Sequence, residues 1–491
     1  MGTRKYSDGY RALRDADAPR RIAFDVLMQV ERDGAFGNIA LAKALRQARQ
    51  HERIDARDAA FASELVNGTL RGRGRLDAVL ARYLTRPIEE LDLPVAVLLR
   101  LGAHQLLNMR VPDHAAVSTT VDLARMNLTD GPTRMVNAVL RSITREQEGA
   151  IEEALDQIED PIERLGALTS HPTWMVEAFS QALTAHGYSS DELEALLEGD
   201  NIAPHVTLVA RPGLIEAEEL ADEAEEVLDT RVAMGTVSSR AVLIESGDPA
   251  ALESIRSGAA GVQDEGSQLS ALIAAVAPLE GPDVSWLDLC AGPGGKAALL
   301  GALARQRQAH LVANELHPHR ARLVERACRR LDNVDVVSSD GRSFGGRNTS
   351  WALGSFDRVV VDAPCSGMGS MRRRPESRWR RSQADVGELV ILQAQLLRRA
   401  RDLVRPGGVL TYITCSPHKE ETVDQLEVLL SEGGLELLDT VAIAEDLVPM
   451  SLEIPEGAGL VAGAKGRSLQ LWEHRHGTDL MFIAALRRVG E

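Results

Sequence analysis

Aromatic residues are scarce in this sequence, making up 3% of its 491 residues. Cysteine is also rare, and the four cysteines, Cys290, Cys328, Cys365 and Cys415, show no CxxC spacing. That argues against a disulfide framework and against a zinc site, so we expect reduced thiols and no bound metal. Long apolar runs are missing too, because runs such as residues 271–279 fall far short of the roughly 20 residues that span a bilayer. We therefore expect no membrane segment.

Positive charge is in deficit, since the formal net charge is -17. This counts against a nucleic-acid partner, because phosphate contacts usually need a basic surface. A local basic cluster in residues 368–382 partly offsets the objection, because six arginines surround Trp379 there. Arginines interleaved with an aromatic ring are typical of RNA contacts. The candidate RNA-binding residues are Arg372, Arg373, Arg374, Arg378, Arg380 and Arg381.

The length predicts two or three domains. Residues 19–147 show helical periodicity throughout and predict an all-α domain, with a helix start at Asp55 and Asp58 and a first-turn proline at Pro94. The acidic residues 148–168 are predicted to be a connecting helix or linker, and residues 169–282 a small α+β subdomain. Residues 1–21 contain no apolar segment of a signal peptide, so we expect a cytoplasmic location.

Residues 283–491 alternate strand-like and helical runs, which predicts a doubly wound, Rossmann-like α/β sheet. The strand candidates are WLDLC, HLVANE, VDVVSS, FDRVVVDAP, GVLTYITC and LMFIAAL. Ligands of such sheets bind at the carboxyl ends of the strands. The polar and reactive residues stand there, namely residues 290–296, Glu315, Asp340, residues 362–367 and residues 414–416. We expect one site to collect them.

Three of these strand ends favour a nucleotide-like cofactor. LDLCAGPGGK places Gly292, Gly294 and Gly295 between a strand and a helix, where backbone can approach a ligand closely. Glu315, about 20 residues later, is spaced to bind ribose hydroxyls. Asp340 follows the third strand and is placed to accept a hydrogen bond from an adenine amino group. Each also has an ordinary alternative: a simple strand-to-helix turn, a surface glutamate, and a turn-forming Asp before Gly.

The other two strand ends each carry a cysteine, Cys365 and Cys415, at the mouth of the sheet, whereas a packing cysteine such as Cys328 is expected deeper in the fold. Carbon 5 of cytosine is a weak nucleophile that is activated when a thiolate adds at carbon 6, and release of the product needs a base and an assisting group. Two cysteines can divide this work. Asp362 is placed to hydrogen-bond the base, and the alternative is that it caps the end of the strand. Lys296 is placed to lower a thiol pKa or to anchor substrate, and the alternative is an ordinary solvated lysine.

With these residues in view, the C-terminal part resembles the RsmB/Sun (Fmu) family of RNA cytosine-5 methyltransferases. The resemblance rests on CAGPGGK at 290–296, DAPCSGMG at 362–369 followed by an arginine-rich stretch, RPGG at 405–408, TCS at 414–416 and the terminal HGTDLMFIAAL. It implies an S-adenosylmethionine-dependent enzyme with a class I methyltransferase fold. Two positions depart from the family pattern: Glu315 stands where Asp is usual, and Gly292 where Ala is common.

The resemblance also implies a role for each matching residue. Cys415, in the TC motif, is the nucleophile, and Cys365, in the PC motif, assists release of the product, with Asp362 and Lys296 beside them. The implied cofactor contacts are Cys290, Ala291, Gly292, Pro293, Gly294, Gly295, Lys296, Glu315, Arg320, Asp340 and Asp362.

The helical N-terminal region is similar to the NusB fold, an RNA-binding module, through RRIAFDVLMQV, DARDAAFASELVNGTLR, LLRLGAHQLL and VNAVLRSI. In the RsmB type this module precedes the methyltransferase, which implies 16S ribosomal RNA as the substrate. We expect the enzyme to be a monomer. Transfer RNA stays open as an alternative substrate, because the step rests on architecture. So do a methyltransferase acting on protein or a small molecule and a non-catalytic NusB-like RNA-binding factor.

Overall fold

The structure is a computed structural model that describes residues 17–51, 54–147, 149–346 and 350–490. Residues 1–16, on which the signal-peptide prediction mainly rests, lie outside the described residues. The chain divides into two compact units. One comprises the residues up to Glu177 together with Met371–Arg380, and the other comprises Ala178–Ser370 and Arg381–Glu491. None of the helices in the described ranges has the length and apolar character needed to cross a membrane.

The first unit is helical, as predicted. Its helices are α1 (Ala18–Asp33), α2 (Gly37–His51), α3 (Ala56–Arg71), α4 (Arg73–Ala81), α5 (Leu93–Asn108), α6 (Asp113–Asn127), α7 (Asp130–Ile143), α8 (Ala150–Asp156) and α9 (Pro161–Thr169), and α10 (Thr173–Ala185) runs across the boundary. The predicted helix start is confirmed, because Asp55 Oδ1 accepts from Asp58 N at 2.8 Å. Pro94 lies in the first turn of α5, whose residues from Val95 to Gln105 are all buried.

The predicted linker, residues 148–168, is instead part of the helical unit. It contains α8 and most of α9, and Ile151 and Leu155 of α8 lie in the same hydrophobic core as α5. The acidic residues of α8 occupy its exposed face, since Glu152 and Glu153 are exposed while Ile151 and Leu155 are buried. The acidic composition obscured two buried side chains, Ile151 and Leu155, which lie one turn apart and fix this short amphipathic helix on the core.

The second unit contains two sheets. The smaller is antiparallel in the order β2-β3-β1-β4, with strands β1 (Val206–Ala210), β2 (Val232–Met234), β3 (Ala241–Ile244) and β4 (Ala260–Val262). It is the α+β element that the sequence predicts. The larger sheet contains β5 (Ser285–Asp288), β6 (His310–Asn314), β7 (Val334–Val337), β8 (Phe356–Asp362), β9 (Val404–Thr414), β10 (Leu435–Leu437), β11 (Leu469–Gln470) and β12 (Phe482–Arg488).

The helices of the second unit are α11 (Leu193–Gly199), α12 (Ala217–Leu228), α13 (Glu253–Ser257), α14 (Glu265–Val276), α15 (Gly295–Gln306), α16 (Pro318–Cys328), α17 (Gln383–Leu403), α18 (Val423–Ser431), α19 (Thr440–Glu445) and α20 (Glu473–His476). Successive residues of β5 face opposite layers of the core: Trp286 packs with α14 and α15, and Leu287 packs with α17. Cys328, at the end of α16, is buried as expected for a packing cysteine.

The strand order of the larger sheet is β10-β12-β9-β8-β5-β6-β7, with β11 paired to β12. Strands β9, β8, β5, β6 and β7 pair in parallel, and β12 is antiparallel to β9. The predicted α/β fold is confirmed, with an antiparallel addition at one side. The chain moves outward from β5 through β6 to β7, then returns to the other side of β5 with β8. Loops leaving the carboxyl ends of β5 and β8 therefore diverge, which opens a crevice at this edge.

Candidate active site

The crevice brings together the ends of β5, β8 and β9. Asp362 is the last residue of β8 and pairs with Ile413 of β9, so the loops carrying Cys365 and Cys415 leave neighbouring strands side by side. Lys296 lies in the first turn of α15, directly after the glycine loop that follows β5. All four predicted catalytic residues therefore lie at one strand edge. Their positions follow from parallel strand pairing, which aligns the carboxyl ends.

The two cysteines are in contact. Cys365 Sγ lies 3.2 Å from Cys415 Sγ, and both residues are partly buried. A hydrogen bond from the Cys365 thiol lowers the pKa of Cys415. The same hydrogen bond, together with burial, raises the pKa of Cys365 well above its usual range. The pair therefore favours a thiolate on Cys415 and a protonated thiol on Cys365, which suits Cys415 as the nucleophile.

An ion pair lies beside the cysteines. Lys296 Nζ donates to Asp362 Oδ2 at 3.0 Å, and the side chains of Lys296 and Asp362 are 11% and 27% exposed. Burial lowers the pKa of Lys296, but the adjacent carboxylate outweighs burial and keeps the pKa above its usual value. The ammonium also lowers the pKa of Cys415. Lys296 is not a solvated surface lysine, because its charge is held within the site.

Asp288, the last residue of β5, belongs to the site and is missing from the residues that the sequence predicts. It is fully buried, and among the described residues its Oδ2 has no hydrogen-bond partner. Burial, reinforced by the nearby Asp362 carboxylate, raises the pKa of Asp288 to about 7. A carboxyl group inside the apolar run LDLC is the signal that could have revealed it, since buried carboxyl groups are rare without partners.

The glycine loop and the end of β6 form a backbone cradle. Glu315 accepts from Gly292 N at 3.1 Å and from His317 N at 2.9 Å, while Arg320 Nη2 donates to Gly292 O at 2.7 Å. Gly294, at φ +110°, lies so close to α16 that a Cβ there would be 2.9 Å from Val324 Cα. Glu315 is buried rather than a surface glutamate, and its carboxylate is fixed at the loop where a ribose-binding group is expected.

Asp340 lies at the far side of this cradle, after β7. Its Oδ1 accepts from Arg342 N at 2.9 Å, so it does form the turn that was the alternative interpretation. A hydrogen bond from the Arg342 side chain lowers the pKa of Asp340. The carboxyl is about one third exposed, and its contact with adenine stays a prediction.

The arginine-rich segment does not present all six side chains to a ligand. Arg378 is fully buried, and its Nη1 donates to the carbonyl oxygens of Arg71 and Ser170 at 3.4 and 3.3 Å. Arg372 is also buried, at 6% exposure. The prediction of RNA contacts is wrong for Arg372 and Arg378, because buried guanidinium groups cannot reach a phosphate. Sequence clustering could not separate them from the exposed arginines of the same segment.

The remaining arginines of the segment are exposed. These are Arg373, Arg374, Arg380 and Arg381. Arg374 and Arg380 lie over the Phe36 ring at 4.8 and 5.9 Å from its centroid, and Arg380 also donates to the carbonyl of Ala35 at 2.6 Å. Trp379 stacks with Arg73 at 5.3 Å from the ring centroid. Residues 371–380 thus belong structurally to the helical unit, although the sequence places them within the catalytic region.

In the described part of the chain, no group of three or more His, Cys, Asp or Glu side chains is arranged to hold a metal ion.

Two family profiles match the chain. Residues 274–487 match the family described as 16S rRNA methyltransferase RsmB/F, and residues 17–145 match the NusB family. A candidate methyltransferase of Mycobacterium tuberculosis is 45% identical over 478 residues, covering 97% of this chain and 98% of that protein. Ribosomal RNA small subunit methyltransferase B of Pseudomonas syringae is 30% identical over 427 residues, covering 85% of this chain and 89% of that protein.

Solved structures share the fold. The crystal structure of PH0851 has a TM-score of 0.75 at 20% identity, covering 95% of this chain and 98% of that chain. NSun6 from Pyrococcus horikoshii, solved with SFG, has a TM-score of 0.52 at 17% identity, covering 66% of this chain and all of that chain.

Proposed function

Because the chain belongs to the RsmB/F family of 16S rRNA methyltransferases, we propose that it transfers the methyl group of S-adenosylmethionine to carbon 5 of a cytosine in 16S ribosomal RNA. The observation that carries this proposal is the contact between Cys365 and Cys415 beside the Lys296–Asp362 ion pair. Attack at carbon 6 requires a thiolate, and the subsequent release requires a second group close to it. The two sulfur atoms, 3.2 Å apart, can supply both.

The cradle around Gly292 fits S-adenosylmethionine. Residues 290–296 and Glu315 supply backbone amides, close approach and a carboxylate for ribose hydroxyls, with Arg320, Asp340 and Asp362 as further contacts. Gly294 is the N-cap and Gly295 the first residue of α15, so the amino end of this helix would face the bound cofactor. When bound, S-adenosylmethionine supplies an electrophilic methyl group on a sulfonium.

Cys415 begins the reaction. Its thiolate forms a bond to carbon 6, and the electron pair displaced from the ring double bond makes carbon 5 the nucleophile that takes the methyl group, with S-adenosylhomocysteine as the leaving group. Asp362 hydrogen-bonds the cytosine edge and is held by Lys296. Loss of the carbon-5 proton then restores the ring double bond, breaks the bond between carbon 6 and sulfur, and returns Cys415 as a thiolate.

Cys365 assists this release. The hydrogen bond to Cys415 is the largest cause of its raised pKa. That hydrogen bond weakens once the Cys415 thiolate has been consumed by the bond to carbon 6, so the pKa of Cys365 falls during the covalent stage. Cys365 then gives up its thiol proton to solvent more readily than in the free enzyme, and the resulting thiolate accepts the carbon-5 proton, which restores the thiol.

The test uses purified protein, labelled S-adenosylmethionine, and either 16S ribosomal RNA or transfer RNA. We expect 5-methylcytosine in ribosomal RNA, none with Cys415→Ala, and a covalent protein–RNA adduct on denaturing gels with Cys365→Ala. Full activity of Cys415→Ala would overturn the nucleophile assignment. Label in transfer RNA alone would move the substrate to that class, and absence of label in any RNA would favour a non-catalytic RNA-binding factor.

The same proposal covers partners and location. We place the enzyme in the cytoplasm as a monomer, with the helical unit and the small antiparallel sheet binding structured RNA and a flipped cytosine entering the crevice. The exposed arginines Arg373, Arg374, Arg380 and Arg381 are the remaining candidates for phosphate contacts.

A further inference from the structure

A buried carboxylate lies behind the two cysteines. Glu421, in the short turn after the TC motif, is fully buried. It accepts four hydrogen bonds: from Ser366 N at 2.8 Å, Ser366 Oγ at 2.5 Å, Ser416 Oγ at 2.6 Å and Gln393 Nε2 at 3.0 Å. A buried carboxylate with four donors is well compensated, whereas loss of such an acceptor leaves each buried donor unpaired. We call Glu421, Ser366, Ser416 and Gln393 the Glu421 network.

The network joins the two catalytic loops. Ser366 directly follows Cys365, and Ser416 directly follows Cys415, so one carboxylate binds the residue after each cysteine. The two serine hydroxyls also lie 3.0 Å apart. The 3.2 Å contact between the sulfur atoms is therefore supported from behind by a second connection between the same two loops.

The two loops depend on this connection to different degrees. Cys415 follows β9, which is paired on both sides by β8 and β12, and its carbonyl accepts from Gly369 N at 2.9 Å. The Cys365 loop is held at its far end by Gly369 N, which makes the bond to Cys415 O just described, and nearer to Cys365 by Ala363 N, which donates to Ile413 O at 2.9 Å. The residues on either side of Cys365 both depend on the Glu421 network, because Gln393 Nε2 donates to Pro364 O at 2.9 Å and Glu421 binds Ser366. Loss of Glu421 should therefore displace Cys365 more than Cys415.

We propose that Glu421 is a positioning residue that holds Cys365 against Cys415, so that the adduct formed by Cys415 is released efficiently. This inference rests on the proposed function. It predicts a specific defect: Cys415 still attacks, but release by Cys365 slows, and the covalent intermediate accumulates. A purely structural role would instead lower attack and release together.

The experiment compares Glu421→Ala, Glu421→Gln and Glu420→Ala in single-turnover reactions with RNA and S-adenosylmethionine. Glu420 is the matched control, because it is the adjacent carboxylate and is exposed. We expect Glu421→Ala to slow product release about tenfold or more and to raise the adduct fraction on denaturing gels, with Glu420→Ala unchanged. Glu421→Gln should stay near the wild type, because its amide oxygen can replace one carboxylate oxygen and its NH₂ can donate to the rotatable serine hydroxyls.

A folded Glu421→Ala protein with the wild-type adduct fraction and release rate would overturn the proposal. So would equal losses in Glu421→Gln and Glu421→Ala, since charge rather than position would then be responsible. If Glu421→Ala does not fold, Ser366→Ala takes its place, because it removes one of the four donors to Glu421 and leaves the others. A smaller rise in adduct supports the proposal, and no rise contradicts it.

A second measurement needs neither RNA nor cofactor. The Cys365 hydrogen bond lowers the pKa of Cys415, so displacement of Cys365 should slow alkylation of Cys415 by iodoacetamide near neutral pH about threefold, measured by mass spectrometry. An unchanged rate in folded Glu421→Ala would contradict the positioning role even where RNA is methylated. Methylation by Cys415→Ala would instead refute the proposed function and leave the alkylation comparison intact, so the two failures are distinguishable.

Discussion

At the scale of single residues, the close approach of Gly292 and Glu315 accounts for the identity of both. The family usually has Asp at the position of Glu315 and commonly Ala at that of Gly292, so this chain has a longer residue at the first and a smaller one at the second. A Cβ added to Gly292 would lie 2.0 Å from Glu315 Oε2. The longer carboxylate therefore occupies the space of the missing methyl group, and the two departures compensate for each other.

This compensation predicts a non-additive pair of substitutions. Gly292→Ala should weaken S-adenosylmethionine binding about tenfold, or about 1.4 kcal/mol, because the new methyl group displaces Glu315. Gly292→Ala combined with Glu315→Asp should recover most of that loss, since the shorter carboxylate frees the space. Isothermal titration calorimetry measures the four affinities. Additive losses in the double variant would show that the two positions are independent.

Asp288 makes stability depend on pH. A carboxyl group whose pKa is raised by folding, here from 3.8 to about 7, stabilises the fold below the unfolded pKa and loses that contribution as pH rises through the folded pKa. Asp288→Asn removes this titration. As the pH rises from about 5 to about 8, the unfolding free energy of the variant should rise relative to that of the wild type by on the order of 2 kcal/mol. Urea unfolding at a series of pH values measures this difference.

The matched control for Asp288 is Asp332→Asn, which removes a carboxyl group that is 82% exposed. It should preserve the wild-type dependence of stability on pH. Parallel curves for Asp288→Asn and the wild type would show that Asp288 does not titrate in this range.

At the scale of elements, the packing of α15 against α16 decides which glycine of the loop can be replaced. Gly294 combines φ +110° with a Cβ position 2.9 Å from Ala327 Cβ and from Val324 Cα. Gly295 begins α15, and the atom nearest to its Cβ position is 3.8 Å away. These neighbours differ because only Gly294 lies where the turn meets α16.

Gly294→Ala should therefore destabilise the second unit by about 2 kcal/mol and weaken cofactor binding, because the backbone is strained and α16 must move. Gly295→Ala should keep wild-type stability. Thermal unfolding of the two variants measures the contrast. Similar melting temperatures would show that α16 can move away from the new methyl group without loss of stability.

At the scale of the whole molecule, residues 371–380 belong to the helical unit, although in the sequence they lie within the catalytic region. Arg378 is an internal support of that unit through the carbonyls of Arg71 and Ser170, whereas Arg381 is exposed. The two arginines are three residues apart and differ only in surroundings. Substituting each of them in turn therefore tests a structural role and a phosphate contact separately.

Arg378→Ala should lower the unfolding free energy by about 2 kcal/mol, because the buried Ser170 and the half-buried Arg71 each lose a donor to their carbonyl oxygen. Arg381→Ala should leave the melting temperature unchanged, weaken RNA binding severalfold, and reduce the slope of affinity against salt by about 1. Thermal unfolding and salt-dependent RNA binding measure the two effects. An unchanged melting temperature for Arg378→Ala would mean that Arg378 is not a support.

The order of strands along the chain, the position of each reactive residue at a strand end, and the helical character of residues 19–147 could be predicted from the sequence. These properties are local, because alternation with a period of two or 3.6 residues and the glycine and proline positions report on neighbouring residues. The family follows from the same motifs, since CAGPGGK, DAPCSG and TCS are contiguous.

Only the tertiary structure decided which residues meet across the sheet. The contact between Cys365 and Cys415, their joint support by Glu421, the burial of Asp288 and the inclusion of Arg378 in the helical unit all connect residues distant in sequence. Composition misled at residues 148–168 for the same reason, because Ile151 and Leu155 are core residues only once α8 packs against the helical unit. Strand order and packing bring such residues together, and no local pattern contains that information.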